Sequence, residues 1–170
     1  TEAIRHIKPS KEGALGSGVY MTPKSDFAGS YAGYSPSGVY QTDSGVSSSG
    51  GNVLPVHAQL KNPLIIEGKG DPMVKALVKL GMDEEKASRM VEKAYEDKGY
   101  IGKQVQTRAQ AAGYDGLMQY RDGDLSEVVA YNPNAVKSAI GNRGTFDPAK
   151  PDLNEAHGGA IHMAGGGDPR

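Results

Sequence analysis

Leu15–Tyr31 reads LGSGVYMTPKSDFAGSY, and the reading of these seventeen residues decides the fold. Gly16 and Gly18 flank Ser17; glycines serve where the backbone needs a positive φ or where another group must approach it closely. Val19, Tyr20 and Met21 form a brief β-type run that Thr22-Pro23 ends. A helix can begin at Ser25, with Ser25 as N-cap, Asp26 at the positive end of the dipole, and Phe27, Ala28 and Tyr31 on one side. A glycine-flanked strand feeding a helix with a second tyrosine suits a small, flat, partly aromatic ligand. The same residues also suit an ordinary strand–turn–helix corner with core tyrosines, and the stretch alone favours that plainer reading.

Working outward, the 170 residues suit one domain with a real core, read as residues 1–153 followed by a disordered tail or linker over 154–170. A start at Thr1 and an ending in Gly-Gly-Gly-Asp-Pro-Arg read as a fragment cut from a longer polypeptide. The formal charge of −1 comes from 19 basic residues interspersed among 20 acidic ones, which gives no strong nucleic-acid signal. With no cysteine, disulfides, thiolate metal sites and a cysteine nucleophile are excluded. No apolar run approaches the ~18 residues of a membrane span, so a soluble protein is expected.

Before the corner, Ile4 and Ile7 have the spacing of one helical turn, and Pro9-Ser10 ends it. Behind it, Gly33 to Asn52 is Ser- and Gly-rich and reads as a disordered loop or a lid. Asn52 to Leu60 and Asn62 to Glu67 read as strands, the first with Pro55 marking an edge or bulge and with His57 half-buried against a neighbour. Three helices follow: one opened by Asp71-Pro72 and closed by Gly81, one from Asp83 to Lys98, and one from Gly102 or Lys103 to Ala112 with Gly113 beyond it. The chain then returns to strands at Leu117 to Tyr120 and Ser126 to Tyr131 around an Asp122-Gly123 turn, with Glu127 at the start of the second. Asn134 to Ala139 continues as a helical turn or a further strand.

Most familiar chemistries find no support in this pattern. The four histidines are scattered, so no metal site is expected, and neither a G-x-S-x-G elbow nor a P-loop or dinucleotide fingerprint occurs. What remains is the glycine–tyrosine corner and one late carboxylate, Glu127. A lone carboxylate cannot run paired-carboxylate hydrolysis, but it can stabilise a sugar cation or hold a ribose hydroxyl.

On these residues the chain resembles the ADP-ribosyltransferases of the diphtheria toxin and poly(ADP-ribose) polymerase branch. There a G-x-G-[IV]-Y-[FM] strand is followed eleven residues after its Tyr by a second Tyr, as Gly16-Ser17-Gly18-Val19-Tyr20-Met21 and Tyr31 are here. The family's glutamate opens a strand of the form E-[YV]-[VI]-V-[YF]-[DN], which Glu127-Val128-Val129-Ala130-Tyr131-Asn132 matches closely. Tyr114 to Gly116 and the ending around NPNAVKSAIGNRGTFDPAKPD look similar to ADP-ribosyltransferase modules of phage and mobile-element polyvalent proteins. The resemblance implies an α+β fold, a split β-sheet core with a helical insert around 71–112. It further implies a mono-ADP-ribosyltransferase that takes NAD as substrate and modifies a macromolecular acceptor, a protein in preference to a nucleic acid. Its setting would be phage-associated, or the cytoplasm of a host into which it is delivered. Glu127 is then catalytic, and Gly16, Ser17, Gly18, Tyr20, Thr22, Ala28 and Tyr31 bind NAD, with nicotinamide between the two tyrosine rings.

Two positions depart from the family. His6 is followed by Ile7, so the family's His-Gly pair is expected upstream of Thr1. Ala28 stands where the family has a small hydroxyl residue that bonds the nicotinamide amide. These departures leave an inactive NAD- or ADP-ribose-binding module, or a structural part of a phage polyprotein, as the alternative.

Overall fold

The computed structural model describes residues 7–31 and 53–140. The expected helical turn of Ile4 and Ile7, the loop from Gly33 to Asn52 and the tail from 154 lie wholly or mostly outside them. Strand β1 (Val19–Met21) leads into helix α1 (Ser25–Tyr31); β2 (Val56–Ala58) and β3 (Pro63–Glu67) follow. Helices α2 (Pro72–Lys79), α3 (Glu84–Glu96) and α4 (Gly102–Ala111) then separate β3 from β4 (Gly116–Arg121), β5 (Asp124–Ala130) and β6 (Val136–Ser138).

The caps that start and stop these helices are legible as side-chain chemistry. Asp71 Oδ1 accepts from the backbone N–H groups of Met73 (2.8 Å) and Val74 (3.2 Å), with Pro72 at the first helical position where no N–H is needed. Asp83 caps α3 through Lys86 N at 3.0 Å. The chain leaves α2 through Gly81 at φ +88 and α4 through Gly113 at φ +87, the left-handed conformation that costs glycine least.

Four strands form one sheet in the order β1-β5-β4-β3, and β2 pairs with β6 in a separate two-stranded sheet. β1–β5 and β5–β4 are antiparallel, whereas β3–β4 is parallel. A parallel pair needs a crossover, and here α2, α3 and α4 supply it. The helical insert is therefore the layer that covers one face of the sheet. Leu64, Ile66, Leu117 and Val129 point into it and meet Met73, Ala76, Leu77, Val91, Val105 and Ala109. The other face carries Val19 and Ala130, which pack with Ala135 and Val136 beside the small sheet.

The Asp122-Gly123 turn has φ +53 and +87, a two-residue hairpin loop, so Arg121 and Asp124 already pair. β5 consequently begins at Asp124, and Glu127 lies within the strand, not at its start. The strand expected over Asn52 to Leu60 shrinks to Val56–Ala58. Pro55 has no N–H to donate and the partner β6 is itself short. His57, expected half-buried, is exposed because this small sheet turns that residue to solvent. The segment after Pro133 takes both forms left open by the sequence, a 3-10 turn at Pro133–Ala135 and then β6.

Candidate functional site

Side chains alternate across a strand, so Val19 and Met21 face the small sheet while Tyr20 between them faces the helices. Tyr20 pairs with Val129 across β1–β5. On β5, Glu127 is two residues from Val129 and shares its face. Tyr20 and Glu127, far apart in sequence, thus become diagonal neighbours on adjacent strands, a relation that puts such residues roughly 7–8 Å apart, with their Cβ atoms somewhat closer.

Glu127 sits at an irregularity in the sheet. Gln119 pairs with Glu127 and Tyr120 with Leu125, so Ser126 is an extra residue, a β-bulge. Bulges bend a strand and re-aim the side chain beside them. Burial pushes the Glu127 carboxyl above its ordinary value of 4.5, and the Arg121 charge pulls it partly back.

The glycine loop before β1 is built against three elements. Gly16 has φ +117, and a Cβ there would lie 2.8 Å from Gln106 Cβ on α4 and 3.1 Å from Tyr131 Cε1. Ser17 N donates to Gln106 Oε1 at 2.9 Å, and Ser17 Oγ donates to Ser10 O at 2.6 Å. Gly18 forms an antiparallel bridge with Ser10, and a Cβ on it would stand 2.6 Å from Ala130 O of β5. The Tyr20 hydroxyl donates to Gly16 O (2.8 Å) and accepts from Leu15 N (3.0 Å), stapling the loop to the strand it feeds. Tyr131 donates to Leu15 O at 3.2 Å. Burial, and then the neighbouring Tyr20 phenol, push the Tyr131 hydroxyl up, so it stays a donor. Gly16 and Gly18 thus each have a packing reason to be glycine, independent of any ligand.

Of the other expected contacts, Thr22 Oγ1 accepts from Lys24 N at 3.1 Å and shapes the turn into α1. Ala28 lies within α1 and is partly exposed. Tyr31 ends α1, and its ring lies outside the described residues, as does His6. The structure therefore brings together the loop, Tyr20 and Glu127. Gln106, Gln119 and Arg121 join them without any sequence signal, since a lone Gln or Arg on a helix or hairpin is ordinary until the pairing is known.

A model of the family described as ADP-ribosyltransferase in polyvalent proteins matches residues 2–146. The chain belongs to this family. No curated protein and no solved structure matches the chain. The ADP-ribosyltransferase fold class read from the corner and the Glu127 strand agrees with the observed split sheet and its helical insert. Among the described residues of this family member, no group of three or more His, Asp or Glu is placed to hold a metal ion, and no helix is long and apolar enough to cross a membrane. A shallow groove between β3 and α2, lined by Ile65, Glu67, Val74, Lys75 and Val78, lies at the far edge of the sheet from β1.

The staple from Tyr20 invites a direct check. Tyr20→Phe keeps the ring but leaves Leu15 N and Gly16 O without that partner. The expected cost is about 1–3 kcal/mol in denaturant unfolding, with a faster-exchanging Leu15 amide. An unchanged unfolding midpoint would mean that the loop holds itself without the phenol.

Proposed function

We propose that this chain is a NAD-dependent mono-ADP-ribosyltransferase whose acceptor is a protein. The observation that carries the reading is the placement of Tyr20 and Glu127 on one face of adjacent strands beside a rigid glycine loop. In this reading nicotinamide lies against the Tyr20 ring, with Tyr31 as the second face and Gly16, Ser17 and Gly18 supplying backbone beside it. Thr22 and Ala28 border the same pocket.

The bond between nicotinamide N1 and the ribose C1′ breaks, and its electron pair leaves with nicotinamide, neutralising the pyridinium. Positive charge develops on the ribose. The fixed negative charge of Glu127, which also accepts a bond from a ribose hydroxyl, stabilises that charge; such a preorganised group is worth ~3–4 kcal/mol of barrier. A nucleophile of the acceptor then attacks C1′ and loses its proton to solvent. With water in that role the product is free ADP-ribose. Membership of a polyvalent-protein family supports a setting in a phage or mobile element, with action inside a host cell after delivery.

The test is incubation with NAD labelled in its adenylate half together with bacterial lysate. Label should appear in protein, with nicotinamide released in equal amount. Label confined to free ADP-ribose would make the chain a hydrolase, and intact NAD would remove the activity altogether.

An NAD-binding module without turnover is the second reading, and Ala28 is the residue that favours it. If the missing hydroxyl is what limits this copy, Ala28→Ser restores one hydrogen bond to the nicotinamide amide. Nicotinamide release should then rise about fivefold, as ~1 kcal/mol predicts. No change would mean that backbone already makes this contact.

A further inference from the structure

We infer that Arg121 is a positioning residue, locked by Gln119 so as to present a fixed positive charge to the Glu127 carboxylate. Gln119 is only 2% exposed, one of few buried polar side chains among the described residues. It lies directly across β4–β5 from Glu127, at the bulge. Arg121 is two residues further along β4, on the same face and at the exposed end of the hairpin. With the Gln119 amide turned so that its oxygen meets donors, Oε1 accepts from Arg121 Nε at 2.9 Å and from Nη2 at 3.1 Å.

A free surface arginine samples many rotamers and is screened by water, so its average field on a neighbour is small. Two hydrogen bonds to one buried oxygen remove that freedom and hold the planar guanidinium in one place. A buried amide spends its acceptor on this arginine, and the arginine is the charge that bears on Glu127. From the surrounding elements, β4 faces Glu127 with Gln119 and Arg121, β5 carries Asp124 opposite Arg121 at the turn, and on β1 the diagonal neighbour Tyr20 turns its hydroxyl to Gly16 O and Leu15 N. The positive charge opposes the effect of burial, so the carboxylate is ionised at a lower pH than burial alone would allow. Arg121 acts through Glu127 and makes no step of the reaction itself.

This inference rests on Glu127 being the catalytic carboxylate, and the test separates the two claims. The Glu127 side-chain carboxyl is titrated by carbon-13 NMR in the free protein, without NAD. In Arg121→Met and in Gln119→Leu its midpoint should rise by about half to one pH unit. Arg121→Lys, which keeps the charge but not the two-point bond, should fall between. The acid limb of nicotinamide release should move by the same amount, with little change at pH 8. A carboxyl midpoint unmoved in Arg121→Met, in a protein whose amide NMR spectrum shows it folded, overturns the inference. A midpoint that moves while wild-type protein releases no nicotinamide leaves the Arg121–Glu127 coupling standing and defeats only the catalytic reading.

Discussion

Glu127→Gln should reduce nicotinamide release by roughly 10²–10³-fold while making the folded protein more stable at pH 7. The two effects have one origin. Gln keeps the size and one acceptor oxygen of the carboxylate but removes its charge, so ribose can still be bonded while the developing cation is no longer stabilised. Burial raises the folded-state pKa of Glu127 above the unfolded value. Below the unfolded value the group is protonated in both states and contributes nothing. Above the folded value the ionised carboxylate disfavours folding, because a buried charge is exchanged for a solvated one. The stability gained by Gln is therefore present at neutral pH and vanishes as pH falls through the raised pKa toward 4.5 and below. Thermal melts of both proteins from pH 4 to pH 8 check this. A Gln variant that is less stable at pH 7 would mean that the carboxylate is held by structural bonds and is not strained for function.

Gly102→Ala should unfold the corner around which the chain is organised. A Cβ at Gly102 would be driven into the backbone oxygen of Gly13 and would also lie 2.6 Å from Gly16 N and 2.9 Å from Ala14 O. All three are main-chain atoms, and no rotamer change relieves them. Either α4 lifts from the loop, taking Gln106 away from Ser17 N, or the loop shifts and breaks the Tyr20 staple. Overpacking of this kind costs ~1–3 kcal/mol and here more is expected, since backbone must move on both sides. NAD affinity should fall in parallel. Gly99→Ala is the control: its Cβ would have only an ordinary 3.8 Å contact with Ala94 O, so stability should hold or rise slightly. Equal unfolding midpoints for the two variants would show that the loop does not depend on α4.

How much of this was legible depends on how local each cause is. Asp71 and Asp83 act on amides two and three residues away, so their caps can be read from composition alone. The Asp122-Gly123 turn is equally local, and its two-residue length already implies pairing at Arg121 and Asp124. The bulge at Ser126 is not local: it exists only because β4 and β5 fall out of step between Gln119 and Tyr120. Gly16 and Gly18 illustrate the same limit differently. Their importance is visible in sequence, but the reason the structure gives, close approach of Gln106, Tyr131 and Ala130, lies in residues many positions away. Asn52 to Leu60 misled because its Val and Leu spacing fits a strand, while Val53 and Leu54 are 48% and 40% exposed with no partner strand among the described residues to cover them. That Tyr20 and Glu127 belong to one site became legible only through family resemblance, since nothing in their spacing marks them as diagonal neighbours on adjacent strands.

The most direct measurement of the central claim, that this face holds NAD, is a calorimetric titration of NAD into Glu127→Gln protein, which does not consume the ligand. Saturable binding at one site is predicted, weakened about tenfold or more when Tyr20→Ala is added, as loss of a stacking ring requires. Absence of binding, or an affinity indifferent to Tyr20 in a protein that remains folded, would contradict it.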